Sequence, residues 1–238
     1  MTRLLVLDID GVMVEADRSF MEAVARALAE LAPGITWTDD HFRMFKRVGG
    51  FNNDFRLTAG GLALHQAGQM GRLWSAEGVG FPDLEARMHE LEPLCQEVVQ
   101  AHYADTRHLE TPLISLTELE ATGLDLAIYT GRPPEELAMA FEVLGFELPA
   151  VCDSEPALRK PRPDGLLLLA DRFGASAVVF AGDTRDDATA LRAARAQRPE
   201  IAWTFAAIGP ERERIAVEGD LQAERLRELL GMLSGGNA

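Results

Sequence analysis

Cysteine is almost missing from this chain. Cys95 and Cys152 stand far apart, without the spacing of a thiolate metal site, and two are too few for a disulfide framework. Buried thiols in a reducing cytoplasm are the expectation. Basic charge is also scarce: the formal net charge of -15 repels both nucleic acid and anionic membrane surfaces. An anionic substrate would need a local positive site. Of 23 Lys+Arg, only Lys46 and Lys160 are lysine, so arginine carries the surface and each lysine draws attention. No apolar run is long enough to span a membrane, and the first residues enter a strand pattern without a basic segment and apolar signal core. A soluble, unexported protein is expected. Internal repeats and low-complexity segments are absent, and the tail Ser234 to Ala238 is expected to fray.

With 47% hydrophobic residues in 238, the chain can bury the core of one large domain, or of a domain carrying an inserted module. The most informative stretch is Leu4-Leu5-Val6-Leu7 followed by Asp8-Ile9-Asp10-Gly11-Val12. An unbroken apolar run reads as a strand buried on both faces. Two ionised carboxylates at its end are costly to desolvate unless a cation or a reaction occupies the space beside them.

Helical spacing follows from Asp17 to Leu31 and stops at Pro33-Gly34. Thr38 is expected to cap a short helix through Phe45, ahead of a polar loop from Arg47 to Asp54. Further helices are expected over Asp54 to Gln66 and Pro82 to His102, and no strand between residues 15 and 105. Beyond Thr111-Pro112, read as an N-cap and first helical position, short strands alternate with helices. The strands are Leu124 to Tyr129, Ala150 to Cys152, Ala177 to Phe180 and Trp203 to Ile208. The helices are Pro133 to Leu144, Pro163 to Phe173, Asp186 to Ala196 and Leu221 to Leu233. Such alternation makes an α/β fold, a parallel sheet covered on both faces. Residues 1 to 14 and 106 to 238 form this core, and 15 to 105 a helical insertion.

Ligands of open parallel sheets sit beyond the carboxyl ends of the strands. Asp8 and Asp10, Thr130-Gly131-Arg132, Lys160 in Lys160-Pro161-Arg162-Pro163, and Gly182-Asp183 through Asp186-Asp187 all fall there. Each has an ordinary reading alone: a turn, a helix start, a solvated loop lysine, acids favoured by a helix dipole. Their shared placement argues for one site. Hard carboxylate oxygens suit Mg²⁺ completed by water and phosphate. Lys160, the Thr130 hydroxyl and the Gly131 N–H, at a helix start, suit phosphoryl oxygens. One carboxylate can attack while a second exchanges protons, which describes phosphoryl transfer through an aspartyl-phosphate.

At these residues the chain resembles the haloacid dehalogenase superfamily. Asp8-Ile9-Asp10-Gly11-Val12, Thr130-Gly131, Lys160-Pro161-Arg162-Pro163 and Gly182-Asp183 through Asp187 match its four motifs in order. The resemblance implies a Rossmann-like core with an inserted α-helical cap of the first type, as in the phosphoglycolate phosphatase and beta-phosphoglucomutase branch. It implies that Asp8 attacks phosphorus and that Asp10 is general acid, then base. Mg²⁺ would be held by Asp8, the Asp10 carbonyl and Asp183, with Asp187, or Asp186, ordering its surroundings. Thr130 and Gly131 would bind the phosphoryl oxygens, and Lys160 would neutralise charge on Asp8 and on the bound phosphate. The implied activity is hydrolysis of a small phosphorylated metabolite. Phosphomutase and a non-catalytic phospho-ligand module are the alternatives, with monomer and homodimer both open. Carbon–halogen and phosphonate cleavage in the family lack the second acid, so Asp10 favours phosphate esters, although Lys46 keeps the imine-forming phosphonate route in view.

In the insertion, residues 46 to 56 concentrate Lys46, Arg47, Asn52, Asn53, Asp54 and Arg56 around Phe51. This loop is either a capped surface turn or a substrate reader. As a reader it would close over the metal site and select the leaving group.

Overall fold

The structure, a computed structural model, describes residues 2–51, 53–76, 79–217 and 219–235. Asn52 and the last three residues of the expected frayed tail lie outside the described residues; Ser234 belongs to the helix Leu226–Gly235. The chain divides into two compact units, Met1–Glu15 with Thr111–Ala238, and Ala16–Glu110.

The first unit is built on β1 (Arg3–Leu7), β2 (Val14–Glu15), β3 (Thr111–Pro112), β4 (Asp125–Tyr129), β5 (Ala150–Val151), β6 (Ala177–Gly182), β7 (Ala202–Ile208) and β8 (Leu221–Ala223). Six of these form one parallel sheet in the order β5-β4-β1-β6-β7-β8. The run Leu4 to Leu7 is wholly buried because β1 has a neighbour on each edge: Leu7 lies opposite Ile128 on one side and Ala181 on the other. From β1 the chain moves outward through β4 and β5, then returns to the other side of β1 for β6, β7 and β8. A reversal of this kind opens a crevice at the carboxyl ends of the strands beside it. Helices Pro134–Leu144, Asp164–Phe173 and Arg185–Gln197 connect the strands. Leu166, Leu169, Leu191 and Ala194 pack with Val6, Phe180 and Phe205 in a common core.

Three expectations about local structure are corrected. Thr111-Pro112 does not start a helix; it pairs with Val14-Glu15 in a two-stranded antiparallel ribbon. The helix waits for Ser115, whose hydroxyl accepts from the Glu118 N–H while the Glu118 carboxylate accepts from the Ser115 N–H, a reciprocal cap that Thr111 lacks. Leu221 to Ala223 is a sixth parallel strand rather than helix, and the helix runs Leu226–Gly235. Three residues are too few to show whether their period is 2 or 3.6, and the open edge of β7 decides. Finally, Arg47 ends the helix Asp39–Val48 instead of opening a loop.

The second unit is helical among its described residues, with main helices Asp17–Leu31, Asp39–Val48, Asp54–Gln66 and Glu85–Thr106. The rings of Phe20 and Tyr103 stack at 4.8 Å. Beside them the buried Glu110 carboxylate accepts from Ser19 Oγ and Tyr103 Oη. Cys95 is buried in this unit, and desolvation pushes its thiol up to about 12, as expected of an inert core cysteine. No helix among the described residues is long and apolar enough to cross a membrane.

One close contact supports the site. Gly165, in the first turn of Asp164–Phe173, lies so near the Tyr129 ring that a Cβ would stand 2.3 Å from it. The Tyr129 hydroxyl in turn shares its one proton between the carbonyls of Leu158 and Arg162, at 2.9 and 2.8 Å, which flank Lys160. Gly165→Ala is therefore expected to destabilise the protein by about 1–3 kcal/mol through overpacking. Calorimetry should show a lowered Tm; an unchanged Tm would contradict the packing described.

Candidate active site

Asp8 is the first residue beyond β1. Its N–H continues the ladder by donating to the Ala181 carbonyl at 2.9 Å, so its position is set by the sheet itself. The side chain turns back to accept from the Ile9 N–H on Oδ1 at 2.8 Å. Lys160 Nζ reaches the same Oδ1 at 2.9 Å and Asp187 Oδ1 at 2.7 Å. All three side chains are at least 96% buried, and the one ammonium bridges both carboxylates. Below it lie the faces of Tyr129 and Phe180, with centroids at 5.2 and 5.4 Å, a cation–π floor that keeps water out.

These contacts explain the charge states. Burial pushes the Asp8 carboxyl above the ordinary carboxylate range; Lys160 pulls it down, and Asp187 and Asp10 push it further up. Burial opposes the charge on Lys160, but the attraction of Asp187 and Asp8 outweighs it and holds its pKa above the usual lysine value. Lys160 is thus a fixed cation. Removing one partner of such a buried set costs about 3–5 kcal/mol, because the remaining charge is left uncompensated.

Asp183 follows β6 directly. Gly11 has φ of +70°, and a Cβ there would stand 2.3 Å from Asp183 Oδ2. Glycine at position 11 therefore both makes the turn after Asp10 and lets the Asp183 carboxylate lie over it. Asp187 is the third residue of its helix. Its Oδ2 accepts from the Thr184 N–H at 3.0 Å and the Thr184 hydroxyl at 2.5 Å, while its Oδ1 faces Lys160. One acid thereby caps the helix and joins the cluster.

Asp8, Asp183 and Asp187 bring carboxylate oxygens within 4.8 Å of one another. The donors are hard, anionic and partly desolvated, with no thiolate or imidazole among them, which is the chemistry that suits a hard divalent cation. Asp186, half-buried, is not one of the trio.

The Asp10 carboxylate lies apart from that trio, directed to Arg132. Arg132 Nε stands 3.1 and 3.2 Å from the two Asp10 oxygens, and Nη2 donates to Oδ1 at 2.6 Å. Thr130 is buried just beyond β4, and its Oγ1 accepts from the Arg132 N–H at 3.2 Å. Gly131 is not at a helix start, contrary to expectation; the helix begins at Pro134 because Pro133 occupies the N-cap position. The Gly131 N–H belongs to the loop. Arg132 falls in the polar group after β4, but the sequence assigns it no role in the site. Its only sequence signal is an arginine directly after Thr130-Gly131, which is indistinguishable from a surface arginine until its burial is seen.

The candidate reader in the second unit is largely bonded to itself. Lys46 Nζ holds Asp54 Oδ1 at 2.8 Å, and Asn53 caps the helix Asp54–Gln66 by accepting from the Arg56 N–H. Arg56 donates from Nε to the Gly50 carbonyl and from Nη2 to both Glu85 oxygens. Alanine at Asn53 therefore carries its own stability cost of about 1 kcal/mol. Arg47 is exposed on the last turn of its helix.

The chain matches the family model of haloacid dehalogenase-like hydrolases over residues 2–195. Over 199 residues it is 31% identical to an imidazoleglycerol-phosphate dehydratase of Phytophthora nicotianae, covering 81% of this chain and 41% of that protein. Over 109 residues it is 32% identical to the phosphoglycolate phosphatase of Escherichia coli (strain K12), covering 44% of this chain and 39% of that protein. It thus spans about two fifths of the length of the curated relatives it matches. Phosphatase Tt82 from Thermococcus thioreducens shares the fold, with a TM-score of 0.65, 20% identity, and coverage of 98% of this chain and 100% of that one.

The clustered acids generate a binding prediction that needs no turnover. Adding Mg²⁺ to chelator-treated protein should raise Tm, since a ligand at a hundredfold excess over its Kd stabilises the folded state by about 2.7 kcal/mol. Asp183→Asn should lose most of that shift. An equal shift in the variant would place the ion elsewhere.

Proposed function

The chain belongs to the haloacid dehalogenase-like hydrolase family, and from that premise we propose that it is a Mg²⁺-dependent phosphatase acting on a small phosphorylated metabolite through phospho-Asp8. The observation that carries this reading is the buried Lys160 bridge between Asp8 and Asp187, beside the clustered carboxylate of Asp183.

Both anchoring contacts of Asp8 fall on Oδ1, so Oδ2 is the oxygen we assign to the attack. A bond forms from it to phosphorus as the bond from phosphorus to the ester oxygen breaks, and that oxygen takes the proton of Asp10. In the second half, Asp10 accepts a proton from water as the water oxygen bonds to phosphorus and Asp8 is released. Lys160 balances charge on Asp8 and on the transferred group. The Thr130 hydroxyl, whose oxygen already accepts from the Arg132 N–H, has its own proton to donate to a phosphoryl oxygen, and the Gly131 N–H serves another. Mg²⁺ would be held by Asp8, Asp183 and the Asp10 carbonyl, and when bound would supply electrostatic stabilisation of the phosphoryl charge. Asp187 orders that cluster through Lys160. The low basic charge and the free cysteines support a cytoplasmic enzyme of small anions rather than of nucleic acid.

A panel of phosphate esters tests the reading. Wild type should release inorganic phosphate with Mg²⁺, without a bisphosphate activator, and lose activity on chelation; Asp8→Asn should lose about 10³-fold or more. Phosphate transfer to a second hydroxyl would instead identify a mutase, and tight binding without turnover a non-catalytic module.

Leaving-group selection we assign to residues 46 to 56. Arg47→Ala, on an exposed side chain, should shift the ranking of substrates in that panel while leaving Tm nearly unchanged. Equal loss on every ester would remove the segment from substrate choice.

A further inference from the structure

Arg132 is the most constrained residue of the site to which the phosphatase chemistry assigns no task. Its side chain is 1% exposed, whereas that of Asp10 is 36% exposed. Burying a guanidinium is expensive unless its donors are used. Here Nε and Nη2 grip the Asp10 carboxylate, and Nη1 donates to the Glu136 carbonyl at 3.3 Å. The main chain is held as firmly: the Arg132 N–H donates to Thr130 Oγ1, and its carbonyl accepts from the Asp153 N–H at 2.9 Å. Burial keeps the guanidinium from competing for a solvent-borne anion, so direct substrate recognition is a poor explanation for it.

Resting on the phosphatase reading, we propose that Arg132 is a positioning residue that aims Asp10 for proton transfer to and from the reacting oxygens. A carboxylate at a partly exposed turn would otherwise rotate among several side-chain orientations. A planar fork fixes both its direction and its plane, which a lysine, as a point charge, does not. The same residue orients the hydroxyl of Thr130 through its backbone. Arg132 therefore sets the proton donor and a phosphate-binding hydroxyl relative to each other. No atom of Arg132 bonds to substrate; the proton passes from Asp10 to the ester oxygen in the first step and from water to Asp10 in the second.

The leaving group provides the test. A p-nitrophenolate leaves without a proton, whereas the oxygen of phenyl phosphate, close to it in shape, needs one. For Arg132→Ala, kcat/KM on phenyl phosphate should fall about 100-fold and on p-nitrophenyl phosphate less than about threefold, the range expected for a displaced general acid. Asp10→Asn should show the same split, and adding Arg132→Ala to it should cause no further loss. Arg132→Lys, which keeps the charge without the fork, should retain the split even if the alanine variant folds poorly. Equal losses on the two esters, full activity in Arg132→Lys, or independent losses in the double variant would each overturn the inference while leaving the phosphatase reading intact. A wild type inert on both esters with Mg²⁺ would sink that reading and the inference together.

Discussion

The buried ammonium of Lys160 holds the site together. Three acids meet at the ends of β1 and β6 and at the start of the helix after β6, and their mutual repulsion in a desolvated space would scatter them. Lys160 lies within 3 Å of two of them, over an aromatic floor that excludes water. The cost of burying it is offset only because those acids are there, so charge balance and site geometry are one constraint.

The scaffold has the rigidity this requires. Asp8 is registered by a backbone bond to the strand beside it, Asp187 by the helix it caps, and the Lys160 loop by the Tyr129 hydroxyl. Each catalytic candidate in this unit therefore sits at the end of a regular element or is tied to one, which limits the motion that would separate reacting groups. The two acids after β1 have different surroundings. Asp8 is buried against an ammonium, and Asp10 lies at the edge, gripped by a guanidinium. That difference in burial and partner is the physical basis for giving them different tasks.

Much of this was legible in the residues. The unbroken run before Asp8 reads as a strand buried on both faces, and the recurring alternation of strand and helix implies a parallel sheet with its ligand edge at the carboxyl ends. Polar residues after β1, β4, β5 and β6 then had to share that edge. Local competition was less legible. Thr111-Pro112 has the chemistry of a helix start and becomes a ribbon because Val14-Glu15 lies beside it, while Leu221 to Ala223 joins β7 because an open edge is available. In the helical unit, the polar groups of Asn53 and Arg56 looked available for a ligand and are used within the unit, by the loop and by Glu85 at the start of the helix Glu85–Thr106.

Sequence by itself determined the fold class, the order of the central strands and their connecting helices, and the set of acids and the lysine that end up together, because periodicity and strand burial are local properties written in residue type. Tertiary structure alone decided the partners: Lys160 between Asp8 and Asp187 rather than on Asp183, and Arg132 turned inward to Asp10 rather than outward to solvent. Such pairings join residues as much as 152 positions apart and depend on distances of a few ångströms, which no pattern along the chain encodes.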